Sequence, residues 1–358
     1  MTETIENRAE TLAMIRESAA GFASTSGGLK RVRALRSQAI GFDRSAWLNM
    51  CQMGWPGLRV AEEAGGAGLG MQESCALVEE LGAELAPEPL IPCAMAAQLL
   101  SGRSRDALLS GEKIVIPAWQ ERANDLEPVL EATFFGGRVN ARKVFIHMAA
   151  GADAFLVTTQ AGTVWVDRDA PGVSLAVEPT VDGGNYGALT LNDAPGEVVA
   201  RPDLQQFAAA IDESALATSA YLLGVMDRSF YITREYLLTR KQFGHVIGSY
   251  QVLQHRVVDW KIQIALTRAS VESAAKTLDS VPCARVRQAA VSRAKARAAE
   301  AAMLITRQAV QLHGAMGYTD DCDIGLYLRK AMMLANLYGS AAVHRVRYAE
   351  ATSSTAEE

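Results

Sequence analysis

Cysteine is scarce, with five in 358 residues at positions 51, 75, 93, 283 and 322. No pair has the spacing of a metal site or a redox motif, and an odd number so widely scattered does not describe a disulfide framework. A reducing, cytoplasmic setting is the expectation. Long apolar runs are missing too: none approaches the ~20 residues that cross a bilayer. Met1 to Glu10 mixes polar and acidic residues and lacks the basic-then-apolar order of a signal peptide. Basic charge is in deficit, with 35 Lys and Arg against 40 Asp and Glu and a net charge of −5. That excludes a field that recruits nucleic acid. A local basic run at 285–297 is interrupted by Ala and Val at helical spacing and reads as a solvated helix face. No Gly-x-Gly-x-x-Gly turn follows a strand. The glycines at 65–70 follow helical sequence instead, which weighs against a dinucleotide-binding βαβ unit.

What is present falls into three segments. Over 1–111 the pattern is helical, and the runs Met14–Phe22 and Glu73–Leu85 place apolar residues at three- and four-residue intervals. Gly54–Gly57 and Glu62–Gly70 carry too many glycines for helix and read as connecting loops. Pro87, Pro89 and Pro92 mark a break before a short apolar helix at Cys93–Leu100. Over 112–202 the period changes. Lys113–Ala118, Arg142–His147, Ala154–Thr159, Thr163–Asp167 and Ala188–Asn192 are short and rich in Val, Phe, Thr and Trp, with glycine pairs between them. No helical stretch intervenes, so an antiparallel sheet or small β-barrel is expected. Over 203–358 helices return and lengthen, at Leu204–Arg240, Tyr250–Leu278 and Ala284–His313, and their dense alanine permits close packing. Thr352–Glu358 reads as a frayed end. The expected fold is α+β and multidomain: an N-terminal helical domain, a small middle β-barrel and a C-terminal four-helix bundle.

Four segments carry chemistry. In Arg240-Lys-Gln-Phe243-Gly-His-Val-Ile-Gly-Ser-Tyr-Gln251, a helix ends, a glycine turn follows and a new helix begins. An arginine and fresh helix-N-terminal amides then face one spot, which suits an anion such as a dinucleotide pyrophosphate. A plain helix hairpin with a surface arginine has the same local pattern. In Gln311-Leu-His-Gly314-Ala-Met-Gly317-Tyr318, glycine lets the backbone approach a ligand closely, or simply stops the helix. Upstream stand Gly65-Gly66-Ala67-Gly68 and Gly137-Arg-Val-Asn-Ala-Arg-Lys143-Val-Phe145-Ile146. In this order the four segments resemble those of acyl-CoA dehydrogenases, and the resemblance covers nearly the whole chain.

The resemblance implies FAD-dependent α,β-dehydrogenation of an acyl-CoA thioester to the enoyl-CoA. In that family a carboxylate takes the α-proton while a hydride leaves the β-carbon for the flavin, and an electron-transferring flavoprotein is the usual acceptor. By the same resemblance Arg240, Phe243 and Gln251 contact the ADP part of FAD. Gln311, Gly314 and Gly317 complete that cradle, and Ser340 lies near its adenosine end. No metal is implied.

Three departures accompany these matches. The family's usual base position holds Tyr338, and a phenol of pKa about 10 is a poor base at neutral pH. Relatives that place the base at the start of the long C-terminal helix align with Ser214, beside Glu213. One residue is about 100° of helix rotation, so Glu213 reaches the site only if the helix start shifts. A solvated carboxylate in a first helical turn is the alternative. The loop that binds the flavin ring in relatives is Ile116–Asp125 here, without the hydroxyl or glycine, and the strand that ends in Thr there ends in His147. His147 then donates to a flavin edge or is a half-exposed strand-end histidine. This pattern resembles the shorter, base-lacking subunit of heteromeric acyl-CoA dehydrogenases, and the C-terminal segment resembles members acting on bulky or steroid side-chain thioesters. Three readings follow. The chain is a subunit relying on a base-bearing paralogue within a dimer or tetramer, a homomeric dehydrogenase using Glu213, or a flavin-free structural subunit.

Overall fold

The computed structural model describes residues 2–123, 125–127, 131–201 and 203–353, with side chains in the first helix from residue 8 onward. In chain order the helices are α1 (Thr2–Thr25), α2 (Gly28–Leu35), α3 (Arg44–Gln52), α4 (Met71–Ala83), α5 (Leu90–Leu99) and α6 (Gly102–Leu109). After the strands come α7 (Leu204–Thr239), α8 (Gln251–Ser280), α9 (Ala284–His313), α10 (Ile324–Leu334) and α11 (Ala341–Ser353). Two compact units result. One is built from Met1–Leu29, Met71–Ala86 and Ala215–Glu358, the other from Lys30–Gly70 and Pro87–Ser214.

In the helical unit α9 is central and packs against α8, α10 and α11. Alanine recurs along its buried face, at Ala290, Ala294, Ala298, Ala302 and Ala309, among larger side chains such as Val291, Lys295, Ile305 and His313. Small side chains at helical spacing let neighbouring helices approach closely. The same principle reaches its limit where α4 crosses α7. A Cβ on Gly224 would stand 2.0 Å from the Glu79 carbonyl oxygen, and one on Gly82 would stand 2.2 Å from that of Tyr221, so the two backbones touch through glycine. The free amides at the start of α4 are capped from α8: the Asp279 carboxylate accepts from Met71 N–H at 2.6 Å and Gln72 N–H at 3.2 Å. The basic run at 285–297 is not wholly a solvated face, because Lys295 is fully buried. Its Nζ donates to the Leu334 and Ala335 carbonyls, at 3.0 Å each, and caps the end of α10.

The second unit holds the strands β1 (Val115–Ala118), β2 (Thr133–Phe135), β3 (Arg138–His147), β4 (Ala154–Thr159), β5 (Gly162–Asp167), β6 (Val173–Pro179), β7 (Asn185–Pro195) and β8 (Glu197–Ala200). They form two four-stranded sheets, in the orders β1-β4-β5-β8 and β2-β3-β7-β6, and do not close into the expected barrel. Closure requires each strand to pair on both sides, whereas the end strands of each sheet pair on one side only. Nor is the pairing wholly antiparallel. β1 runs parallel to β4 because the chain between them makes a long crossover through β2 and β3 of the other sheet.

Pro92 does not precede α5 but occupies its third position, where a missing N–H costs nothing because first-turn amides have no partner. Helix α11 continues through Thr352 and Ser353, and the rest of the expected frayed end lies outside the described residues. No helix among those described is long and apolar enough to cross a membrane.

Candidate functional site

The ends of three long helices meet in the helical unit. After α7 the chain forms a two-residue ladder, β9 (Lys241–Gln242) against β10 (His245–Val246). Gly244, at φ +80°, makes the turn, and Ile247 N–H returns to the Arg240 carbonyl at 2.9 Å. The segment 247–249 then rides on the last turn of α7 so closely that a Cβ at Gly248 would stand 2.8 Å from the Leu237 oxygen. Helix α8 starts at once, capped by no side chain at Tyr250. Arg240, at the foot of this ladder, is exposed and has no ion-pair partner among the described residues.

Helix α9 ends at the same place. His313 is buried, and its ring stacks on Tyr236 of α7, with centroids 4.4 Å apart and planes 23° from parallel. Gly314 follows at φ +63° with open space where a side chain would stand, a conformation that glycine adopts at little cost. Gly317 is the opposite case: a Cβ there would stand 2.6 Å from the Val310 oxygen. Trp260 of α8 donates to Gln308 Oε1 of α9 at 2.6 Å and ties the remaining pair of helices. Beside this junction a cleft of about 390 Å³ opens between α8 and α9, lined by Val252, His255, Arg256 and Gln308 among others.

Arg240, Phe243, Gln251, Gln311, Gly314 and Gly317 are thus brought to one end of the helical unit. Phe243 is 88% exposed at φ +52°, while Arg240, Gln251 and Gln311 are also exposed. A guanidinium, a helix N-terminus and an open glycine turn on one surface are donors of the kind that suit an anion. His255 and Arg256 of the cleft carry no motif of their own, and only the packing of α8 on α9 defines the face they share.

Ser340 does not join this group. It sits in the turn between α10 and α11, at the level of Lys295 and Ser292 on α9, some 18 residues or about 27 Å along that helix from His313. Its hydroxyl accepts from Val343 N–H at 3.4 Å, the position of an N-cap for α11. Tyr338 precedes it, buried and at φ +55°. His344 fixes this turn: Nε2 donates to the Tyr338 carbonyl at 2.8 Å, which leaves Nδ1 to accept from Ser292 Oγ at 3.2 Å. Burial pushes the His344 pKa down to about 3, so the ring is neutral, as these two bonds require.

The remaining residues of interest lie in the sheet-containing unit. Glu213 is ion-paired with Arg59 at 2.6 Å, and both side chains are mostly buried. Lys143 of β3 is fully buried, paired with Glu121, and donates to Thr158 Oγ1 at 3.0 Å. Burial draws the Lys143 pKa down and the Glu121 carboxylate opposes that shift. A bulge between Lys143 and Ile146 turns Phe145 outward, half exposed at φ +55° and edge-on to Tyr186. The His147 ring, half-buried, lies 5.8 Å from the same tyrosine. The segment after β1 therefore presents a closed ion pair, not a loop of hydroxyls and glycines. Among the described residues no cluster of His, Cys, Asp or Glu could hold a metal.

Comparison with known proteins places this geometry. The family model for the acyl-CoA dehydrogenase C-terminal domain matches residues 204–352, and that for the N-terminal domain matches 9–101. The acyl-CoA dehydrogenase IpdE2 of Mycolicibacterium smegmatis is 30% identical over 327 residues, 91% of this chain and 94% of its own. The chain belongs to the acyl-CoA dehydrogenase family. Its members are FAD-linked oxidoreductases that act on the CH–CH bond of acyl-CoA thioesters. Among solved structures, a Tcur3481–Tcur3483 steroid acyl-CoA dehydrogenase variant superposes with a TM-score of 0.87 at 27% identity, covering 98% of this chain and 99% of that one. The ChsE4–ChsE5 complex of Mycobacterium tuberculosis gives 0.86 at 25% identity, with 98% of each chain covered. The cradle's donor set fits the ADP end of such a cofactor. Arg240 and the α8 amides offer charge to a pyrophosphate, and Gly314 leaves room for a ligand at the turn.

Proposed function

We propose that this chain is a subunit of a heteromeric acyl-CoA dehydrogenase, supplying the ADP-side cradle for an FAD whose ring and catalytic base lie in a paralogous chain. The observation that carries this reading is a division within one molecule. The α7–α8–α9 junction is built and open, whereas the position of the usual base holds a buried tyrosine in a locked turn. Glu213, the other candidate base, already answers Arg59. The segment where relatives bind the flavin ring is closed by Glu121 and Lys143. Two of the structural relatives are named as two-component assemblies, which supports the same reading.

Bound flavin supplies the hydride acceptor. In this chain Arg240 and the α8 N-terminus hold the pyrophosphate, Gln311 and the Gly314 turn receive the adenosine side, and Phe243 shields it from water. Ser340, in the turn that caps α11 near the other end of α9, stands apart from this cradle. Substrates are acyl-CoA thioesters, and the steroid-directed relatives point to a bulky acyl group. An electron-transferring flavoprotein takes the electrons onward, as the family implies.

The test is an ADP titration of the purified full chain by calorimetry. Wild type binds ADP, and Arg240→Met weakens it by about tenfold or more, since a lost charge-assisted hydrogen bond is worth about 1.5–3 kcal/mol. Equal binding by both proteins would remove Arg240 from the cradle.

A further inference from the structure

The residues that face the ligand in the proposed cradle have little to hold them. Arg240, Gln251 and Gln311 are exposed, and Phe243 is 88% exposed. A site whose contacts are this loose depends on what fixes the backbone behind it. Tyr236 stands four residues, about one helical turn, before Arg240, and His313 stands immediately before Gly314. Their rings stack face to face at 4.4 Å, and Tyr236 Oη donates to the His313 carbonyl at 3.5 Å. His313 is itself fixed, because Nδ1 donates to the Ala309 carbonyl of the preceding turn at 2.9 Å. Burial lowers its pKa, so the ring stays uncharged and suited to a stack.

We infer that Tyr236 and His313 are positioning residues. Their stack sets the distance between Arg240, just past the end of α7, and the Gly314 turn that follows α9, and so lets one nucleotide engage both. This rests on the reading of that surface as an ADP cradle. It also gives a signature that a merely structural aromatic pair would not. Inorganic pyrophosphate is small enough to be held by Arg240 and the α8 amides alone, and those are tied to each other by the β9–β10 turn. ADP must span to the Gly314 turn. Loss of the stack therefore weakens ADP and spares pyrophosphate.

The variants are Tyr236→Leu, which removes the stack, and Tyr236→Phe, which keeps it and drops only the hydroxyl. For the full chain, ADP affinity falls about two- to tenfold in Tyr236→Leu, the range of a lost aromatic pair. Pyrophosphate affinity stays at the wild-type value, and Tyr236→Phe restores ADP binding. Equal losses for both ligands, or no loss for either, overturn the inference. Amide hydrogen exchange keeps it testable if the wild type binds no ADP, an outcome that would sink the cradle reading by itself. Amides of 314–319 exchange faster in Tyr236→Leu and at the wild-type rate in Tyr236→Phe. Unchanged exchange in Tyr236→Leu would show that the stack positions nothing.

Discussion

Lys295 offers a test of the turn that replaces the usual base. It is fully buried on α9, and its Nζ donates to the last two carbonyls of the α10 end, each at 3.0 Å. Burial pulls its pKa from 10.5 down to about 7. Between those values the unfolded chain holds a proton that the folded chain lacks. The lysine's contribution to stability therefore rises with pH through this window, by up to about 1.4 kcal/mol per unit, and is flat below pH 7. Other groups act in the same range. Burial raises the Cys51 thiol to about 12 and the Cys93 thiol well above its usual value, so the folded chain keeps protons that the unfolded chain loses near pH 9, which lowers stability there. Tyr186, raised to about 12, does the same above pH 10. A difference between wild type and variant cancels these shared groups.

Lys295→Met is the variant, because it keeps the length of the side chain. It leaves two carbonyls without their donor at about 1–3 kcal/mol for each buried group, offset in part by relief from burying the amine. The expected net cost is about 1–3 kcal/mol at pH 7. Unlike most core substitutions, it should grow by about 1 kcal/mol or more for each unit toward pH 9.5. Urea denaturation of both proteins at pH 7, 8 and 9 measures it. A cost that does not change across that range would refute the reasoning, because it would mean the lysine is not neutralised on folding.

Two further substitutions test other parts of the structure. Gly224→Ala drives a Cβ to 2.0 Å from the Glu79 oxygen and 2.7 Å from Ala83 N, both backbone atoms, so α4 and α7 must separate. Its thermal unfolding should show destabilisation of about 3 kcal/mol or more, and a loss under 1 kcal/mol would mean the helices do not cross this closely. Glu213→Gln breaks the pair with Arg59 and should cost stability of about 1 kcal/mol while leaving turnover of an active complex unchanged. A turnover lost by orders of magnitude at preserved stability would instead make Glu213 the base.

The long helices were legible because their periodicity is strong: Ala284–His313 has the same bounds in sequence and structure, and Leu204–Thr239 ends one residue early. Strand β4 is also recovered in full. Of the strands missed, β2 and β8 are too short to show a period, and β6, though Val173, Leu175 and Val177 alternate along it, is mostly exposed and lies between the turn-forming Pro171-Gly172 and Gly183-Gly184. The two-sheet arrangement was hidden for a different reason: which strand pairs with which depends on crossover connections and bulges, not on local pattern. At the site, the motif around Arg240 was visible because glycine and arginine have local reasons to be there. The partners that hold the site were not. The Tyr236–His313 stack joins residues 77 apart in sequence, and the burial of Lys295 depends on which face of α9 meets the α10 end. Arg59, the partner of Glu213, comes from a loop that sequence pattern could mark only as irregular.

The central claim is that this chain holds one half of a flavin site. Its most direct test is the visible absorbance spectrum and solution mass of the full chain, alone and after mixing with a base-bearing paralogue. The account predicts no flavin band near 450 nm (roughly, for an oxidised flavin) from the chain alone, and a band with less than one FAD per chain once the heteromer forms. One FAD per chain in a homo-oligomer without any partner would contradict it.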